Sequence, residues 1–328
     1  MIIVTGGAGF IGSNILAGLE AAGYRNIVVA DRLRNGEKWK NIAKRNLTDV
    51  VHPDELGSFL TRNQASISHV IHMGAISTTT ERDVDLIVRS NIRLTWDLWE
   101  FCRDAGKRFI YASSAATYGA GEHGFEDDAS PTYLNALRPL NPYGWSKAFI
   151  DRRIAGVVAD SGRTPPQFVG LKFFNVYGPN EYHKGAQQSV VAHVFPKVKN
   201  DEPVPLFRSY DPHYADGAQE RDFVWIGDVV DVVLWMVKNE SISGLFNVGS
   251  GEARTFRDLA TAAWTAMRKS PQIEYVEMPE SLRRQYQYHT LANLSLLRMA
   301  GYTKPMTSLE EGVRCYVQGF LNHDDRWR

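Results

Sequence analysis

Cysteine is scarce: Cys102 and Cys315 are the only two in 328 residues. They lie far apart with neither metal nor redox spacing, which excludes a disulfide scaffold and leaves reduced core thiols as the expectation. Net charge is missing too, since 37 Lys and Arg balance 37 Asp and Glu. No global field then draws the protein to nucleic acid or an anionic membrane, and any anionic ligand must be held by locally placed cations. No apolar run reaches membrane-spanning length. The first residues already read as a strand, with no room for a signal peptide, so a cytoplasmic protein is expected. Internal repeats and low-complexity tracts are absent. His69 and His72 share one strand with no third ligand in view, so no metal is expected.

What is present is an ordinary globular composition, 44% hydrophobic and 23% charged, in a chain long enough for a large domain and a smaller lobe. The most informative stretch comes first. An apolar run, Met1-Ile2-Ile3-Val4, feeds Thr5-Gly6-Gly7-Ala8-Gly9-Phe10-Ile11-Gly12 and then a helical pattern from Ser13 to Leu19. Glycine permits the tight bend and lets backbone N–H groups approach a pyrophosphate, and the helix N-terminus adds partial positive charge. Asp31 ends the next apolar run, where a ribose-binding carboxylate belongs. This spacing predicts a dinucleotide site.

Strand and helix signals alternate through the first half: a helix over 55–64, a strand over 69–73, a long helix over 84–105, strands over 108–112 and 168–174, and a helix from Asn141-Pro142 to about Ser161. Alternation of this kind predicts an α/β fold, a Rossmann doubly wound parallel sheet covered on both faces, with a smaller C-terminal substrate-binding lobe. We place the cofactor domain at 1–172 and the lobe mainly at 173–328, with segments near 173–178 and 221–248 crossing back. Ile226-Gly227-Asp228 reads as strand end and helix cap, Thr255 as a helix cap, and Glu126-Asp127-Asp128 as solvated loop charge.

Tyr143-Gly144-Trp145-Ser146-Lys147 is the second informative stretch. On a helix, Tyr143 and Lys147 share one face. A phenol titrates near ~10, and a neighbouring ammonium favours its anion. Ser113-Ser114 end a strand at the carboxyl edge of the sheet, where a hydroxyl can meet a substrate oxygen beside the tyrosine.

Together the glycine turn, Tyr111-Ala112-Ser113-Ser114 and Tyr143-Gly144-Trp145-Ser146-Lys147 resemble the extended short-chain dehydrogenase/reductase superfamily. Ser77-Thr78-Thr79-Thr80-Glu81, the run Lys172 to Glu181, His183-Lys184-Gly185, Arg221-Asp222-Phe223-Val224 and Gln285-Tyr286-Gln287 are similar, more narrowly, to its nucleotide-sugar epimerases that act on an ADP-heptose. The likeness runs from Met1 to about Leu321. It implies tightly held NADP, removal of hydride from C6″ of the heptose, and its return to the opposite face. Each face then needs its own acid/base group. Carried over by motif position, Tyr143 and Lys184 are those groups, Ser114 orients the substrate oxygen, and Lys147 binds the nicotinamide ribose and tunes Tyr143. A homo-oligomer, a pentamer, is implied as well.

The same resemblance assigns cofactor contacts to Gly6, Gly9, Phe10, Ile11, Gly12, Asp31, Arg32, Lys38, Met73, Gly74, Ala75, Ser77, Asn91, Lys147 and Val176. Substrate contacts fall to Ser114, Asn175, Ala186, His193, Phe207, Arg208, Arg221 and Tyr286. Asp31 alone favours NAD through the ribose hydroxyl, whereas Arg32, Arg34 and Lys38 suit a 2′-phosphate. NADP is therefore expected with NAD possible, because Pro53 stands where the family often offers a lysine. Met73 and Ser90 also depart from the family pattern, and 119–138 is longer than usual. Two other readings compete. A nucleotide-sugar 4-epimerase would not need Lys184, and a 4,6-dehydratase needs an acid pair where Ala115-Ala116 follow Ser114. A non-catalytic dinucleotide sensor would have no use for the full Ser, Tyr and Lys set.

Overall fold

Four apolar residues, Ile2–Thr5 (β1), form the central strand of the computed structural model, which describes residues 1–283 and 286–328. Arg284 and Gln285 lie outside the described residues. The further strands are β2 (Ile27–Ala30), β3 (Asp49–Val51), β4 (His69–His72), β5 (Arg108–Ser114), β6 (Phe168–Phe173), β7 (Asn175–Tyr177), β8 (Val204–Phe207), β9 (Glu220–Trp225), β10 (Gly244–Val248), β11 (Ala253–Thr255) and β12 (Ile273–Val276). Seven of them make one sheet in the order β10-β6-β5-β4-β1-β2-β3. Every pairing in it is parallel, which agrees with the expected doubly wound α/β fold.

Buried parallel strands need apolar side chains on both faces, and helices supply the cover. On one face Ile15, Leu16 and Leu19 meet Val229, Val230 and Val233. Helix Phe10–Ala21 approaches helix Ile226–Lys238 so closely that a Cβ on Gly18 would sit 2.4 Å from Val230. On the other face Trp99, Phe109, Ile150 and Ile154 pack together. A separate core built on Val191, Phe195, Trp264 and Tyr316 belongs to the later part of the chain. There β11-β9-β7 and β12-β8 form two small sheets. β10, although late in sequence, is the edge strand of the large sheet. Among the described residues no helix is long and apolar enough to cross a membrane.

Strand order reverses between β1 and β4, the topological switch point at which open α/β sheets bind ligands. Register places Thr5 level with both Ala30 and His72, so three loops leave the sheet side by side there.

Three local expectations need revision. The helix over 84–105 is interrupted by a π-helical stretch, Val88–Arg93. Asp228 does not cap the helix at Ile226; its carboxylate accepts from Thr307 N and Oγ1, both at 2.9 Å. Asp127 is not solvated loop charge but buried at 3% exposure, because residues 119–138 dock Phe125, Leu134 and Leu137 against Ala155, Phe174 and Leu245.

Candidate functional site

The site begins at the turn after β1. Gly6 adopts φ +65°, and a Cβ there would meet the backbone of Gly74 at 2.6 Å. A Cβ on Gly12 would meet Gly6 O at 2.2 Å. Only glycine lets the turn, the helix and the loop after β4 close together. Helix Phe10–Ala21 has Gly9 at its N-cap and no side-chain cap. The N–H groups of its first turn, at Phe10, Ile11 and Gly12, therefore suit an anion. These residues fit a dinucleotide pyrophosphate.

Asp31 lies just past β2. It accepts from Ala8 N at 2.9 Å and Arg32 N at 2.7 Å, and pairs with Lys38 Nζ at 2.5 Å. Arg32 in turn pairs with Asp54 at 2.5 Å. The carboxylate and two cations thus share one corner. On the far side of β1, Asn91 holds the loop after β4: Oδ1 accepts from Ile76 N at 2.8 Å, and Nδ2 donates to Ile76 O and Ser146 Oγ, both at 3.0 Å. Asn91 therefore shapes the Met73-Gly74-Ala75-Ser77 loop with all its polar atoms engaged. It sits within the π-helical stretch, a distortion frequent at functional sites. Val176, Met73 and Ile11 are half-buried beside this core.

Asn141 caps the helix Pro142–Ala159 by accepting from Gly144 N at 2.9 Å. A Cβ on Gly144 would meet Ala116 O at 2.5 Å, so this helix presses on the end of β5. The contact brings Tyr143 beside Ser114, whose Oγ accepts from Ala116 N at 3.1 Å. Burial holds the Tyr143 phenol above its ordinary value, while the neighbouring Ser114 hydroxyl pulls the other way. Lys147, one turn on, is 3% exposed and donates to Ala112 O at 2.7 Å. Desolvation brings its ammonium down to about 8, against the pull of Asp151.

Behind them lies a fully buried network that sequence reasoning missed. Asp151 accepts from Tyr111 OH at 3.0 Å, Ser113 Oγ at 2.6 Å and Lys172 Nζ at 2.8 Å, and Lys172 donates to Thr117 Oγ1 at 2.7 Å. Two signals could have found it: a lysine in the otherwise apolar run over 168–174, and an acid one turn past Lys147.

Lys184 lies on the 3₁₀ turn Tyr182–Gln187. Its Nζ stands 5.3 Å from the centre of the Phe10 ring, and burial lowers its ammonium while Glu181 raises it. Thr78 donates to Gln187 Oε1 at 3.1 Å, joining this turn to the loop after β4. Ala186 and His193 are both exposed and meet through His193 Nε2 and Ala186 O at 3.3 Å. Asn175, at the start of β7, is exposed.

A second group gathers in the lobe. Arg221 is 8% exposed, lies between the Phe256 and Tyr286 rings at 5.6 and 5.3 Å, and has its pKa lowered by burial. Phe207 meets Tyr286 edge to face at 6.4 Å. Arg208 is exposed and tied to Asp216 at 3.0 Å and Glu277 at 3.5 Å. The arrangement suits a nucleotide held by aromatic faces and cations at one end and a sugar hydroxyl at Ser114 and Tyr143 at the other.

Comparison with known proteins points the same way. Residues 2–249 match the model of the NAD dependent epimerase/dehydratase family. Over the full length of both chains, the sequence is 47% identical to the ADP-L-glycero-D-manno-heptose-6-epimerase of Fusobacterium nucleatum. The crystal structure of the Helicobacter pylori ADP-L-glycero-D-manno-heptose-6-epimerase superposes with a TM-score of 0.76 at 28% identity, covering 97% of this chain and 95% of that one. A UDP-glucose 4-epimerase from Thermus thermophilus in complex with NAD gives a TM-score of 0.74 at 28% identity, covering 98% and 99%.

Proposed function

Since the chain belongs to the NAD dependent epimerase/dehydratase family and, within it, to the ADP-L-glycero-D-manno-heptose 6-epimerases, we propose how its residues divide the work of inverting C6″ of ADP-D-glycero-β-D-manno-heptose. The product is the activated heptose of the lipopolysaccharide inner core. The cofactor is a nicotinamide dinucleotide, which when bound supplies a reversible hydride acceptor. The turn Gly6, Gly9, Phe10, Ile11 and Gly12 would hold its pyrophosphate, the Met73-Gly74-Ala75-Ser77 loop and Val176 would border it, and Lys147 would reach its ribose. Asp31, Arg32 and Lys38 would take the adenosine ribose. Because Lys38 already neutralises Asp31, this corner supports NADP, with NAD also accepted.

Tyr143 takes the proton from the C6″ hydroxyl on one face and returns one there, and Ser114 fixes that oxygen. After the ketone has turned, Lys184 donates the proton that makes the new hydroxyl on the opposite face. Arg221, Phe207, Arg208 and Tyr286 hold the nucleotide, while Asn175, Ala186 and His193 border the sugar. One observation carries this reading: Ser114 and Tyr143 stand side by side at the carboxyl edge of β5, backed by a buried Lys147. Exposed Leu140 and Phe149, at 48% and 38%, support a homo-oligomer.

Proton NMR of the purified protein with the substrate in D₂O, with no added cofactor, tests the reaction. Conversion without deuterium at C6″ is expected, and the dinucleotide released on denaturation should carry a 2′-phosphate. Deuterium at C6″ would overturn direct hydride return.

A further inference from the structure

Residues 325–328 lie far from the catalytic helix in sequence, yet they close over the turn that carries Lys184. Trp327 packs edge to face on Tyr182 with ring centres 5.8 Å apart. Tyr182 donates to Arg326 O at 2.8 Å. Lys44, from the cofactor-binding half, donates to Trp327 O at 2.6 Å and pairs with Asp325 at 2.6 Å, and Lys40 lies 4.7 Å from the Trp327 ring centre. Arg328 completes the contact: its backbone N donates to Asn180 Oδ1 at 3.0 Å, and its guanidinium to Asn14 Oδ1 at 3.2 Å.

Asn180 is the pivot. It is fully buried and holds φ +72°, a left-handed conformation that few residues other than glycine adopt. Its Nδ2 donates to Ser13 Oγ at 3.0 Å on the opening helix, and its carbonyl accepts from Asn41 Nδ2 at 3.0 Å. That same Asn41 amide reaches Ala8 O at 2.9 Å in the glycine turn and His183 Nδ1 at 3.1 Å. The side chains of Ser13, Asn41, Asn180 and His183, from three parts of the chain, thus tie the backbone immediately before Lys184 to the glycine turn.

We infer that Trp327, Arg328 and Asn180 are positioning residues for Lys184, with residues 325–328 acting as a strap that holds the Tyr182–Gln187 turn at a set distance from the glycine turn. The inference rests on the assignment of Lys184 as the second acid/base group. A side chain with a long flexible stem meets one face of a sugar reproducibly only if its backbone cannot drift, and a misplacement of about 1 Å can cost on the order of 100-fold in rate.

The test compares full-length Trp327→Ala/Arg328→Ala, Asn180→Gly and Lys184→Ala proteins with the parent. Glycine at 180 keeps the left-handed backbone and removes only the amide. Turnover by NMR, KM, bound dinucleotide and melting temperature are measured for each. A kcat loss of roughly 10- to 100-fold is expected for both strap variants, with KM and dinucleotide content unchanged and the fold retained. Adding either change to Lys184→Ala should cost nothing further. Wild-type turnover in the strap variants beside a crippled Lys184→Ala overturns the inference, as do additive losses or a rate loss matched by lost dinucleotide. Wild-type turnover by Lys184→Ala itself removes the assignment beneath it, and the inference falls with that assignment.

Discussion

Tyr143 faces opposing influences. Burial beside Ser114 and the nearby Asp151 charge hold its phenol high, and a proton acceptor at neutral pH needs the reverse. The expectation that Lys147 lowers it finds its structural counterpart in position alone: the ammonium donates to Ala112 O. Its support for a phenolate therefore lasts only while it is charged. Lys147 titrates at about 8, so kcat should fall as pH rises through that value, and a flat alkaline profile would separate the two residues. Tyr143→Phe removes one oxygen from a site shaped by backbone contacts. It should retain bound dinucleotide and fold while turnover drops by roughly 100- to 10,000-fold, the usual worth of a general acid/base group. Turnover within about tenfold of the parent would transfer the proton to another group.

At the scale of strands and helices, the face carrying Ser114 and Tyr143 is held from behind by a charge pair with no access to water. Lys172 on β6 and Asp151 on helix Pro142–Ala159 are both fully buried, 2.8 Å apart. Removing one partner strands the other, at a typical cost of about 3–5 kcal/mol, whereas replacing both with apolar groups is often nearly neutral. Asp151→Asn should therefore lower the denaturant midpoint markedly, and Asp151→Leu with Lys172→Met should recover part of the loss. A midpoint unchanged in Asp151→Asn would mean that the pair is not what fixes the helix to the sheet. This network also marks the limit of reading from sequence. The glycine turn, the Ser114 strand end and the Tyr143 helix were legible because each is local: a period, a cap or a bend recorded in neighbouring residues. Asp151 with Lys172, and Asn41 with Asn180, are pairings across 21 and 139 positions, set by the packing of the sheet rather than by any local pattern. The π-helical stretch around Asn91 was hidden for a related reason, since its apolar period passes for ordinary helix.

Across the whole molecule, residues 119–138 join the two halves. Asn247 on β10 accepts from Tyr118 OH at 2.7 Å and donates to Phe125 O at 2.7 Å and Asn293 O at 3.0 Å. Gln287, next to Tyr286 of the Arg221 group, donates to Gly119 O at 2.7 Å. The segment is therefore a brace between the sheet edge and the lobe, and Asp127 is its buried acid. One Asp127 oxygen has no hydrogen-bond partner among the described residues, and burial raises the carboxyl to about 6. An unfolded aspartate titrates near ~3.9. Between those values the folded protein holds a proton that the unfolded chain has released, so this group's contribution is intact below the unfolded value and is lost as pH rises through about 6. The loss is on the order of 1–3 kcal/mol. Asp127→Asn cannot ionise, and should flatten that part of the stability profile, measured as the difference in unfolding free energy between weakly acidic and neutral buffer. If parent and variant show the same dependence, Asp127 is ionised in the fold. The brace would then contain a charge for which the burial around it gives no account.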